Sequence, residues 1–97
     1  MKIILLDGEK IENYAALHEV FQTELDLPEY YGANLDALHD VLTERTDEIG
    51  VIIANGAVLH EKVGRRWNSF LRLMNDLAEK REGFYFCMNP FGEPDEE

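Results

Sequence analysis

The stretch Leu27–Asp40, LPEYYGANLDALHD, holds a turn, a helix cap and the first turns of a two-sided helix in fourteen residues. Pro28 closes the segment before it, because the residue ahead of a proline is pushed out of helical geometry. Gly32 marks a turn, and Asn34 is a residue type that caps helix N-termini. From Leu35 the spacing predicts a helix to about Glu44. At about 100° per residue, Leu35, Leu38, Val41 and Leu42 fall on one side, and Asp36, His39, Asp40 and Thr43 on the other. Asp36 and Asp40 sit one turn apart near the positive pole of that helix, which favours carboxylates locally, although two like charges so placed cost a little stability. With two tyrosines and no cation in the stretch, it reads as a surface made to meet something basic.

Working outward, Met1–Leu6 reads as a buried strand closed by the Asp7-Gly8 turn. Asn13 can cap a helix running to about Glu24, with Tyr14, Leu17, Phe21 and Leu25 on one face. Beyond the opening stretch, Ile49–Ala54 is a second apolar strand ended by Asn55-Gly56, and a short helix is expected over Ala57–Lys62. After Gly64 comes a long amphipathic helix, about Arg65–Glu82, with Trp67, Phe70, Leu71, Met74, Leu77 and Ala78 as its core face and Asp76 pointing away. Gly83 ends it and Phe84–Met88 is a third strand. Strands alternating with helices predict an α/β fold, a small three-stranded parallel sheet packed with about four helices. Residues 1–89 then form one domain, and residues 90–97, rich in proline and acid, a frayed acidic tail. Tyr31 is expected to pack inward, Cys87 to be a buried reduced thiol, and His18 and His60 to lie on the surface.

Ninety-seven residues allow one core but not two. A hydrophobic fraction of 45% excludes global disorder. No apolar run reaches the roughly 18–20 residues of a membrane span, and the start is too soon acidic for a secretory signal. The net charge of −11 is unevenly spread. Residues 1–48 hold twelve acids against three bases, whereas residues 49–92 hold four against six. Such a field repels nucleic acid and anionic membrane and speeds encounter with a cationic partner, though plain solubility would account for it as well. Asp36, His39 and Asp40 could in principle ligate a metal, but no further ligand has recognisable spacing. Nor is there a nucleophile, phosphate loop or cofactor motif, so neither an enzyme nor a cofactor is expected.

The block LPEYYG, the capping Asn34 and LDAL closely resemble the signature of the barstar family, intracellular inhibitors of barnase-type extracellular ribonucleases. The likeness extends more loosely upstream through the DGEKI turn and Leu17-His18, and beyond about Glu44 it rests on the order of elements. It implies that Tyr30–Thr43 plugs a ribonuclease active site, with Tyr30 packed on the catalytic histidine. Asp40 would enter the phosphate-binding site and pair with its arginines and histidine. Gly32, Asn34, Asp36, His39 and Thr43 would lie in or beside the contact, and Asp76 would add a peripheral acidic one. Three positions depart from the family pattern: His39 replaces a tryptophan, Ala33 a glutamate and Val41 a cysteine. On this reading the chain is a cytoplasmic, non-catalytic inhibitor, monomeric when free, whose partner is a basic ribonuclease. The alternative is an acidic adaptor that uses the same face to regulate a different basic protein or toxin.

Overall fold

The computed structural model describes residues 1–89, so the expected tail lies outside the described residues. The elements run β1 (Lys2–Asp7), α1 (Tyr14–Glu24), α2 (Leu35–Glu44), β2 (Ile49–Ala54), α3 (Gly56–Val63), a 3₁₀ turn (Gly64–Arg66), α4 (Trp67–Lys80) and β3 (Phe84–Met88). The three strands form one parallel sheet, as the alternation of elements predicts, and the structure sets their order as β1-β2-β3. Parallel neighbours cannot be joined by a tight turn, so each connection must cross over through helices. Here α1 and α2 bridge β1 to β2, and α3 with α4 bridge β2 to β3.

The register places Ile4 beside Val51 and Val51 beside Phe86. On that face of the sheet Ile4, Leu6, Val51, Ile53 and Phe84 are buried. They pack with Leu17 and Phe21 of α1, Leu38 and Leu42 of α2, and Trp67, Phe70 and Met74 of α4. Phe21 and Phe70 meet edge to face at 6.2 Å, joining α1 to α4 through the core. Removing either ring should cost about 3–5 kcal/mol, the usual price of an aromatic cavity.

Several expectations are corrected here. β1 is buried on one face only: Ile3 and Leu5 alternate outward, beside Gly50 and Ile52. The same two-residue period exposes Tyr85 and Cys87, so the thiol is exposed rather than buried. In α4 the core stripe is Trp67, Phe70, Met74 and Leu77, which leaves Leu71 half-buried and Ala78 exposed at its margins. His18, expected on the surface, is buried, for reasons that belong to the site below.

Two polar knots hold the frame. Asp7 Oδ1 accepts from the Glu9 amide at 3.0 Å and from Asn55 Nδ2 at 2.9 Å, tying the end of β1 to the end of β2. Those hydrogen bonds, the Glu9 amide foremost, hold the Asp7 carboxyl below its ordinary range against the opposing effect of burial. At the other end of the sheet, Arg81 Nη2 donates to the carbonyls of Arg45 and Asp47, both at 2.6 Å. Arg45 in turn grips Asp47 with two bonds, at 3.1 and 2.9 Å, and reaches the Leu25 carbonyl at 3.3 Å. The C-terminal ends of α1, α2 and α4 are thereby tied together.

Candidate protein-binding site

The loop before α2 begins where α1 stops. Asp26 adopts a left-handed conformation (φ 55°), the Leu27 amide donates to the Gln22 carbonyl at 2.9 Å and the Asp26 amide to that of Thr23 at 3.3 Å. This pair of bonds is a Schellman ending, so the helix is closed by its own backbone before Pro28 is reached. Two residues of α1 then hold the loop. Gln22 Nε2 donates to the Pro28 carbonyl at 2.9 Å, and His18 Nδ1 lies 2.8 Å from the Tyr31 hydroxyl. The adjacent tyrosines diverge as expected, Tyr31 inward and Tyr30 outward with 88% of its surface exposed.

Behind Tyr31 stands a small stack. Tyr14, four residues before His18, meets the imidazole edge-on at 4.6 Å, and the Arg66 guanidinium lies 4.7 Å above the Tyr14 ring. Burial, with a smaller push from Tyr14, raises the Tyr31 hydroxyl far above its ordinary value, so it stays protonated. Burial, and then the Arg66 cation, pulls His18 below its ordinary value, so the ring is neutral at pH 7. The signal for this was in the sequence: Tyr14 and His18 share a helical face with Phe21.

Ala33 is also left-handed (φ 53°) and delivers the chain to Asn34, whose Oδ1 accepts from the Ala37 amide at 2.8 Å as the predicted N-cap. Its Nδ2 donates back to the Gly32 carbonyl at 3.3 Å, coupling loop to helix. Along α2, Leu38 and Leu42 are buried while Asp36, Asp40 and Thr43 are exposed. The Asp40 side chain is 76% exposed, and its nearest cation-forming neighbour, His39, has Nδ1 3.8 Å away, too far for a hydrogen bond. Asp40 is therefore free to take a partner's donors.

The same face continues onto α4. Asp36 and His39 form one wall of a shallow cleft of about 490 Å³, with Ser69, Arg72 and Asp76 on the other. Asp76 thus joins the α2 acids in space, but its carboxylate already holds Lys80 Nζ at 2.9 Å. Sequence reasoning missed Arg72 and Lys80 as cationic borders of an acidic face, although the Asp76-Lys80 spacing of four was a visible cue. Among the described residues no group of three or more His, Cys, Asp or Glu is placed to hold a metal ion, and no helix is long and apolar enough to cross a membrane.

The family model described as "Barstar (barnase inhibitor)" matches residues 1–89, every residue the structure describes. The chain belongs to the barstar family. Proteins of that family are non-catalytic ribonuclease inhibitors. The chain is also similar to a Bacillus subtilis (strain 168) protein named "Putative ribonuclease inhibitor YrdF". The two are 33% identical over 81 residues, which covers 82% of this chain and 89% of that protein.

Proposed function

We propose that this barstar-family protein inhibits a basic, barnase-type ribonuclease one to one by seating the face Tyr30–Thr43 in the enzyme's active site. The observation that carries the reading is Asp40, standing outward from a capped helix with its side chain 76% exposed. A ribonuclease cleft must be cationic to hold a phosphodiester. A carboxylate fixed on a rigid helix can take that phosphate's place and form charge-assisted, often bidentate bonds with arginine. Asp36 adds charge one turn away, and Tyr30 supplies rigid area with a polar tip, the kind of residue that dominates interface centres. Gly32 and Asn34 shape the loop, His39 and Thr43 flank Asp40, and Asp76 stands at the rim, its charge shared with Lys80.

The net charge of −11 steers the protein toward a cationic enzyme and away from nucleic acid and anionic membrane. The free protein is a monomer of the cytoplasm, where it neutralises a ribonuclease made by its own cell. The test is to titrate the protein into barnase and follow RNA cleavage. Activity should fall linearly to zero at one equivalent, with association slowing as salt is raised. Undiminished cleavage at a large excess would reject this function and favour the adaptor.

A further inference from the structure

We propose that His18 is the positioning residue of the binding loop: through Tyr31 it holds the loop that presents Tyr30, and protonation of its ring releases the loop and weakens capture of the partner. The inference rests on the inhibitory face described above, but its first test needs no partner. His18 is only 1% exposed, and its two ring nitrogens are in different situations. Nδ1 meets the Tyr31 hydroxyl at 2.8 Å, whereas Nε2 is buried with no hydrogen-bond partner. A neutral imidazole carries a single N–H, which at Nδ1 can donate to the Tyr31 hydroxyl oxygen while Nε2 stays a bare ring nitrogen. An imidazolium carries N–H at both, and a buried, charged donor without an acceptor is among the costliest groups in a protein interior.

The groups that face the ring do not relieve that cost. Tyr14 of α1 presents an aromatic ring, Tyr31 of the loop a hydroxyl, and Arg66 of the 3₁₀ turn a second cation. From α2, Asp36 borders the cleft lined by Tyr14 and Arg66 and is itself exposed. Opening the loop to water is the direct remedy for a charged His18. The Gln22–Pro28 bond would survive, but the Tyr31 contact would not, and Tyr30 is the residue immediately before Tyr31. Tyr30 would then have to be ordered at the moment of binding, which shows in dissociation more than in association. Tyr31→Phe keeps the ring and deletes the hydroxyl, so it mimics the released state at neutral pH.

The experiment begins with the free protein. NMR follows the His18 ring resonances and the protection of the Tyr31 amide, which donates to the Pro28 carbonyl at 3.0 Å, from pH 7.5 to pH 5. Corrected for intrinsic exchange, that protection should fall in step with His18 titration in the parent and stay level in His18→Gln. Protection that ignores the titration overturns the proposal. Dissociation from barnase is then measured by stopped flow. Tyr31→Phe should leave the enzyme about five- to tenfold faster than the parent at pH 7, the scale expected for one or two loosened side chains. The parent, and not His18→Gln, should lose further grip toward pH 5, the enzyme's own titrations being common to both. Equal dissociation rates for Tyr31→Phe and the parent also overturn it. If the parent never binds barnase, the proposed function fails, and the free-protein titration still decides the role of His18.

Discussion

Replacing Asn34 by alanine isolates the joint between loop and helix on which the whole face depends. Two bonds disappear: the cap from Oδ1 to the Ala37 amide at 2.8 Å and the return bond from Nδ2 to the Gly32 carbonyl at 3.3 Å. Losing an N-cap acceptor costs about 1 kcal/mol. The second bond is long and exposed, and should add no more than about 0.5 kcal/mol. The sum, about 1–1.5 kcal/mol, corresponds to a fall in Tm of about 5–10 °C for a domain of this size. Urea denaturation followed by circular dichroism measures it, with an unchanged m-value showing that the unfolded state is the same. Asn34→Asp retains the acceptor and puts a negative charge at the helix's positive pole, so it should stay within about 0.5 kcal/mol of the parent. If alanine is tolerated without loss, or if aspartate is as harmful as alanine, the cap does not hold α2 in the way described.

Two further predictions concern the frame. A Cβ at Gly8 would run into the Asn55 carbonyl oxygen and stand 2.8 Å from the Leu59 amide nitrogen, both backbone atoms unable to swing aside. Gly8→Ala should therefore destabilise by about 3 kcal/mol in chemical denaturation, and a cost below about 1 kcal/mol would refute the close approach of β1's end to α3. Asp7 titrates below its ordinary value when folded, so its contribution to stability is fully present above the unfolded value of about 3.9 and is lost as pH falls through the lower folded one. Stability measured between pH 5 and pH 2.5 should fall less steeply in Asp7→Asn than in the parent. Parallel curves would show that the bonds from the Glu9 amide and Asn55 carry no linkage.

What could be read from the sequence was whatever depends on local periodicity. Leu38 and Leu42 against Asp36 and Asp40 fixed which side of α2 faces solvent, and Asn34 announced its cap; both are as predicted. The parallel sheet followed from the alternation of strands with helices, whereas the order β1-β2-β3 did not, because alternation leaves open which strand lies in the middle. The failures came where burial is decided by distant residues. His18 shares a helical face with Tyr14 and Phe21, a local cue to its burial, but the hydroxyl that makes that burial tolerable comes from Tyr31, thirteen residues on. Cys87 sits in an apolar run, yet the strand's two-residue period sets it beside Tyr85 on the uncovered face. The unbroken apolar run of β1 concealed the same fact. Arg72 and Lys80 lie more than thirty residues from Asp36 along the chain, and folding alone brings them to the edge of the acidic face.

The claim that Asp40 takes the place of a substrate phosphate is tested most directly by comparing inhibition of barnase by the parent and by Asp40→Ala. Because the side chain is largely exposed, folding stability should change by less than about 0.5 kcal/mol, so any loss of inhibition belongs to the interface. Truncating one member of a desolvated charge pair costs about 2–5 kcal/mol, a range to which the barnase–barstar complex itself contributed, so it is inherited rather than independent. The expected result is inhibition weakened at least about thirtyfold, with less dependence on salt. An Asp40→Ala variant that folds normally and inhibits as tightly as the parent would contradict the account.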